Sequence, residues 1–259
     1  KMWNIRTPKE ARAMIESQIA NLGIKEPKNL EEQALSLVGT DIYEKLVKGY
    51  TEKQWMRSCS ELPPEIIKRL PVRFEYNNNY FNDKYQGIPK NGYTKLFKKL
   101  LKGIDVKLNT EYNNQKARFI VYTGRIDELN NKIFGELEFR TLEFDEIEYN
   151  TKYFQDRAVI NYTDNTPLYT RTIEHKYFLN QKTKTTIVTY ENPTKMRENS
   201  IPYYPINDDK NEKLYNKYKN IIPKNIILGG RLGKYKYLDM DKTIKEALND
   251  ARRFINENY

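Results

Sequence analysis

The chain has 259 residues, of which 38% are apolar and 31% charged, with 45 lysines and arginines against 35 aspartates and glutamates. That length suffices for one large domain or two modest ones with real cores, and a 13% aromatic share that includes 21 tyrosines excludes a disordered chain. The one cysteine, Cys59, excludes an internal disulfide and a Cys-cluster site, and the one histidine, His175, excludes a multi-His zinc centre, so no metal is expected.

The first third reads helical. Thr7-Pro8-Lys9-Glu10 combines an N-cap, a proline at the first helical position and a capping-box glutamate. Ala11, Met14, Ile15, Ile19 and Leu22 then share one face, and Gly23 supplies a left-handed stop. Asn29 with Glu32 starts a short helix ending at Gly39, and Thr40 opens a third that runs into Tyr50. Tyr50, Lys53 and Gln54 share a side of that helix, with Trp55 beside them. Aromatic faces next to hydrogen-bonding heads suit a ligand that is part ring and part polar, such as a nucleotide or a sugar. A core tryptophan next to a surface tyrosine is the plainer reading of this segment taken alone. A short helical piece after Ser60 ends near Leu70-Pro71, and the irregular stretch from Arg73 to Pro89 is long enough to be a functional loop. Gly92 and Gly103 bracket an amphipathic helix carrying Leu96, Phe97, Leu100 and Leu101.

Strand patterns follow. Residues 118–123, 134–144, 158–163, 170–178 and 185–190 are rich in β-branched and aromatic side chains, and strands without intervening helices imply antiparallel pairing. Alternation changes phase between Phe139 and Leu142, which suggests a bulge or bend. A helix near 213–221 leads to a short strand at 225–228, then Gly229-Gly230, and a last helix capped by Asp241 with Ile244, Ala247, Leu248, Ala251, Phe254 and Ile255 on one face. The fold class is therefore α+β: a helical subdomain over residues 1–110, with a loop at about 60–89, an antiparallel sheet domain over 111–222, and a strand-Gly-Gly-helix piece over 223–259.

A formal charge of +10 predicts attraction to polyanions, yet basic and acidic residues are interspersed rather than gathered in a stripe, so nucleic acid is not the expected partner. No apolar run approaches the ~20 residues of a membrane span and no signal peptide is visible, which points to the cytoplasm. The glycine fingerprint of dinucleotide folds and the Walker lysine motif are absent. Strand followed by Gly229-Gly230 is an arrangement that lets backbone approach a phosphate or a flavin edge, and it equally well ends a strand. Arginine with tyrosine hydroxyls is a common way to hold a diphosphate, and such residues recur as Arg69 before a proline, Arg73 and Tyr80 in the long loop, Arg171 within a strand, Tyr203 and Tyr204 between prolines, and Tyr237 before Asp239. For Arg171, a salt bridge with a neighbour such as Glu174 is the competing reading, and for Tyr203 and Tyr204 it is packing beside prolines. His175 lacks a serine or cysteine nucleophile context and reads as structural, and Cys59 reads as an ordinary small side chain.

Together these residues match a pattern. Lys48-Gly-Tyr-Thr-Glu-Lys-Gln-Trp55, Arg69-Leu-Pro-Val-Arg-Phe74, Asn79-Tyr-Phe-Asn-Asp83, Tyr85-Gln-Gly-Ile-Pro89, Tyr169-Thr-Arg171, Pro202-Tyr-Tyr-Pro205, Gly229-Gly-Arg-Leu232 and Tyr235-Lys-Tyr-Leu-Asp239 resemble, in order and over essentially the whole chain, bacterial-type UDP-galactopyranose mutase. The resemblance implies an isomerase that converts UDP-galactopyranose to UDP-galactofuranose with reduced FAD, supplying galactofuranose for cell-surface glycans. It makes residues 223–259 the C-terminal part of an FAD-binding α/β domain, and the family's front portion, with its glycine fingerprint, has no counterpart here. A chain without that portion is expected to be inactive alone and not to retain FAD tightly.

Residue by residue, the resemblance implies that Tyr50 stacks on uracil, that Thr51 lies in the substrate site, and that Tyr80 and Phe81 help hold the uridine. Trp55 would line the sugar site and Asn161 reach the nucleotide sugar. Arg69, on a mobile loop, and Arg171, with Tyr204 and Tyr237, would serve the diphosphate as the catalytic donors. Gly229, Gly230, Arg231 and Leu232 would meet the cofactor, and Asp239 the substrate. UDP-galactose and UDP are the implied ligands, and a homodimer is compatible with the family. A non-catalytic remnant that binds a nucleotide-sugar or carbohydrate is the alternative from another class.

Overall fold

The computed structural model describes residues 2–68, 72–77, 79 and 81–258. The chain forms two compact units, Lys1–Thr110 with Glu143–Pro193, and Glu111–Leu142 with Thr194–Tyr259.

The first unit opens with helix α1, Pro8–Ala20, whose capping box forms as its sequence dictates: Glu10 N donates to Thr7 Oγ1, and the Glu10 carboxylate accepts from the backbone of Arg6 and Thr7. Those backbone donors hold the Glu10 carboxyl below its usual range. Helix α2, Leu30–Ile42, starts at Asn29, whose Oδ1 accepts from Glu32 N at 2.9 Å, and is broken at Gly39 (φ 75°, ψ 174°). The expected third helix begins there but winds wider, as a π-helical turn over Tyr43–Lys48, before tightening into α3, Gly49–Trp55. Leu30, Ala34, Val38, Tyr43 and Val47 of these helices, Cys59 and Leu62 at the 3-10 turn that follows, and Ile67 of the short α4, Glu65–Lys68, make one core. Cys59 is fully buried there, and burial pushes its thiol up to about 11, so it is an inert packing group. Helix α5, Gly92–Leu100, forms as expected, but its apolar face stays exposed, with Phe97 and Leu100 each more than half open.

A sheet completes this unit. Strand β2, Phe139–Tyr149, runs from the second unit into the first and is joined by β3, Val159–Asn161, β4, Arg171–Glu174, and β5, Thr186–Lys195, in the order β3-β4-β5-β2. The β3-β4 and β4-β5 pairs are antiparallel, as expected. Strand β4 ends early because His175–Leu179 wind into a 3-10 turn. Glu174 is fully buried on the side away from Arg171, accepting from Phe154 N, Gln155 N and Thr186 Oγ1. His175 Nε2 pairs with Thr189 Oγ1 at 2.7 Å, a structural contact.

In the second unit, strand β1, Ile120–Tyr122, pairs with β7, Ile226–Leu228, and the pairing is parallel. Antiparallel pairing is the expectation for the five successive strands from residue 118 to 190, and β1 departs from it because its partner lies more than a hundred residues away, which no local pattern reveals. The phase change between Phe139 and Leu142 has a simple cause: all four residues are buried, so both faces of the strand are covered there. Strand β6, Tyr204–Pro205, pairs antiparallel with Phe139 and Arg140. The short helix α6, Ile126–Leu129, and α7, Asp209–Asn220, pack Ile126 and Tyr218 against Leu137, Phe139 and Tyr235. Asp127, fully buried, takes Arg125 Nε and Nη2 at 3.2 and 2.6 Å and the Leu137 N–H at 3.0 Å. Helix α8, Gly230–Gly233, follows β7 directly, and α9, Met240–Asn258, ends the described chain. The apolar stripe of α9 leaves Ile244, Leu248 and Ile255 more than half exposed, while Phe254 packs edge-on to Phe119. Among the described residues no helix is long and apolar enough to cross a membrane, and no cluster of candidate metal ligands exists.

Candidate functional site

The candidate residues fall into two groups, one in each unit. In the first, the strand register is decisive. Asn161 of β3 stands opposite Arg171 of β4, and Arg171 stands opposite Glu191 of β5, so the three side chains form a row across one face of the sheet. The Arg171 guanidinium meets the Tyr50 hydroxyl through Nη2, lies 5.8 Å from the centre of the Tyr50 ring, and pairs through Nε with Glu191 Oε1 at 3.4 Å. Two anchors, one neutral and one acidic, thus preset a partly exposed cation. The competing partner Glu174 is excluded, since side chains alternate along a strand and Glu174 lies on the other face.

Glu191 is a residue that sequence reasoning did not single out. It is 5% exposed, and burial raises its carboxyl above the ordinary value of 4.5, with Arg171 and the Thr170 hydroxyl pulling the other way. The folded state therefore holds this proton more tightly than the unfolded chain does. The contribution of Glu191 to stability is full below its ordinary value and is lost as pH rises through the raised one. Because Gln cannot titrate, the stability of the wild type relative to Glu191→Gln is expected to fall as pH rises from the ordinary carboxyl value of 4.5 through the raised one, as read from paired urea denaturation curves. A difference that is flat with pH, or rises, refutes this.

The remaining first-unit candidates are dispersed. Thr51 is buried within α3, Trp55 packs half-buried against the helical core, Phe81 is 54% exposed and Asn161 is exposed. Arg69 and Tyr80 lie outside the described residues. Gln54, which shares α3 with Tyr50, is buried with both amide atoms lacking a hydrogen-bond partner.

In the second unit, Tyr204 and Tyr237 stack with ring centres 5.7 Å apart and planes 17° from parallel. The Arg231 guanidinium lies 4.5 Å from the Tyr237 ring centre and 5.8 Å from that of Tyr204. Its N–H groups donate to backbone carbonyls, Nε and Nη2 to Leu238 O and Nη1 to Tyr203 O. Arg231 therefore orients the two tyrosines, each of which it holds by a ring face and by a neighbouring carbonyl. Leu232 packs against the core of this unit, and Asp239 is exposed.

Gly229 is buried at the end of β7, where a Cβ would stand 3.3 Å from Val121 Cγ1, and Gly230 opens α8 at φ 68°. That left-handed angle strains any residue with a Cβ at Gly230, while at Gly229 it is the close Val121 side chain that leaves little room for one. Bare backbone at this strand end fits the close approach of a planar or phosphate-bearing cofactor.

Comparison with known proteins gives a consistent answer. A family model described as GLF: UDP-galactopyranose mutase matches residues 45–237. A protein of Klebsiella pneumoniae named probable UDP-galactopyranose mutase is 43% identical over 258 residues, covering 96% of this chain and 67% of its own length. A dTDP-fucopyranose mutase of Escherichia coli is 38% identical over 266 residues, covering 97% of this chain and 70% of its own length. The fold is similar to a crystal structure of reduced UDP-galactopyranose mutase, with a TM-score of 0.65 at 12% identity, over 89% of this chain and 68% of that one.

Proposed function

Because this chain belongs to the UDP-galactopyranose mutase family, an isomerase family, we propose that it carries the nucleotide-sugar site at which UDP-galactopyranose and UDP-galactofuranose are interconverted. The observation that carries the reading is the cation of Arg171, preset beside the Tyr50 ring within the segment that the family model matches. An aromatic face next to a fixed guanidinium suits a pyrimidine base followed by a diphosphate.

In this reading Tyr50 stacks on the base, with Thr51 and Phe81 near the nucleoside, Asn161 near the nucleotide sugar and Trp55 near the hexose. Arg171 receives the negative charge that grows on the diphosphate as the bond to the anomeric carbon breaks. A donor that is already in place stabilises that charge without reorganising, which is the source of its effect on rate. Holding the departed diphosphate is as important, since the leaving group must return before water reaches the sugar. In the second unit, Tyr204 and Tyr237 are assigned as hydroxyl donors to a phosphate oxygen, with Arg231 fixing their rings, and Asp239 as a substrate contact. Gly229, Gly230 and Leu232 would lie along FAD, in a C-terminal portion from about residue 223 that belongs to a flavin-binding domain. When bound, reduced FAD supplies the electron pair that the sugar's anomeric carbon requires. The buried, unpaired thiol of Cys59 suits a reducing cytoplasm.

The dTDP-fucopyranose relative makes the identity of the base and sugar a point for direct measurement. UDP is expected to bind this chain at least about tenfold more tightly than UMP in calorimetry, since a charge-assisted contact to the second phosphate contributes about 1.5 kcal/mol or more. Arg171→Ala is expected to remove most of that preference. Equal affinity for UDP and UMP sinks the reading, and a preference for dTDP over UDP moves the substrate to the thymidine series.

A further inference from the structure

Lys53 lies on α3, one turn beyond Tyr50, and its Nζ donates to three backbone carbonyls, those of Tyr162, Pro167 and Tyr169, at 2.9, 3.0 and 3.2 Å. These carbonyls belong to the connection between β3 and β4, more than a hundred residues further along the chain. The connection is a closed loop: Tyr162 N donates to Thr170 O at 2.9 Å, and the rings of Tyr162 and Tyr169 meet edge to face at 4.8 Å. An ammonium has three donors, and all three are used here on oxygens that converge on one atom. Burial lowers the Lys53 pKa, and Asp164 works against that shift. A second contact reports how closely helix and loop are seated: a Cβ at Gly49 would fall 2.2 Å from Thr163 O.

The loop ends in Arg171, whose own backbone is held in the sheet, and the helix carries Tyr50, one turn before Lys53. Beside the Arg171–Tyr50 contact itself, the ammonium is therefore a polar tie between the element that presents the aromatic face and the loop that leads to the cation. Neither α3 nor the β3-β4 hairpin sets that separation alone. A hydrophobic contact would hold the two together but would let them slide, whereas three convergent hydrogen bonds define one position. We infer that Lys53 is a positioning residue, which sets the spacing of Tyr50 and Arg171 to that of a pyrimidine base and its diphosphate without touching the ligand.

This inference rests on the reading of Tyr50 and Arg171 given above, and its test separates the two. Dissociation constants for UDP and UMP are measured with this chain and with Lys53→Met, well below the melting temperature of each. Both ligands report on the same folded molecules, so a loss of stability alone leaves their ratio unchanged. The wild-type preference for UDP, at least about tenfold, is expected to shrink to about threefold or less in Lys53→Met, with UMP affinity changing less than UDP affinity. If Lys53→Met does not fold, Lys53→Arg serves, because it keeps the charge but offers donors in a planar fork rather than from one atom. The ratio is expected to fall there as well. A wild type without preference for UDP defeats the parent reading. A wild type with the preference, and a folded variant that keeps it in full, overturns the positioning role of Lys53.

Discussion

Arg171→Ala, in a flavin-loaded enzyme of full family length carrying this sequence, is expected to lower kcat for UDP-galactopyranose by about 10²–10³, the usual effect of removing one preorganised donor to a developing negative charge. The size follows from how the side chain is held. Its backbone is fixed by ladder bonds on both sides, and its guanidinium is shared between the Tyr50 hydroxyl and Glu191 before any ligand arrives. Little ordering entropy is left to lose on binding, so the contact acts mainly on the transition state. KM is accordingly expected to change less than kcat, as read from steady-state rates with product quantified by chromatography. Turnover near that of the wild type would mean that the diphosphate is held elsewhere.

The largest effect on stability is expected at Asp127. Its carboxylate is fully buried, takes two bonds from Arg125 and caps the Leu137 N–H. Truncation to alanine takes the acceptor from the Leu137 N–H and the buried partner from the Arg125 cation, only 11% exposed at its side chain, which keeps only the more exposed Glu128 at 3.2 Å. Breaking such a pair costs about 3–5 kcal/mol, against the 5–15 kcal/mol typical of a whole domain. Asp127→Ala is therefore expected to shift the urea midpoint far to the left, and Asp127→Asn, which can still accept from Leu137, to shift it less. A change of less than about 1 kcal/mol in the alanine variant would show that water reaches the pair.

Helix starts were legible because caps are local. Thr7 with Glu10 and Asn29 with Glu32 contain the donor and the acceptor within one turn, so four residues suffice to specify them. The break at Gly39 and the strand leading into Gly229-Gly230 are local in the same sense. The motifs around Tyr50, Arg171, Tyr204 and Gly229 carried the family, because a resemblance in order along the chain needs no knowledge of contacts.

What the sequence left open concerns partners distant in the chain. Alternation along β4 already sets Glu174 on the face away from Arg171, but that the acid beside Arg171 is Glu191 depends on the register of β4 against β5, which a one-residue shift would change. The same holds for β1, whose parallel partner β7 comes more than a hundred residues later, after five other strands, and for Arg231, which donates to the Leu238 and Tyr203 carbonyls. Lys53 was visible from the start as a head-group beside Tyr50, but the three carbonyls that occupy it lie 109 to 116 residues away. Sequence alone determined which side chains the site has available, since residue type sets charge, ring and donor count. Only the tertiary structure decided how they are paired, because a hydrogen bond or ion pair depends on distance and direction, and those are set by chain segments that meet only on folding.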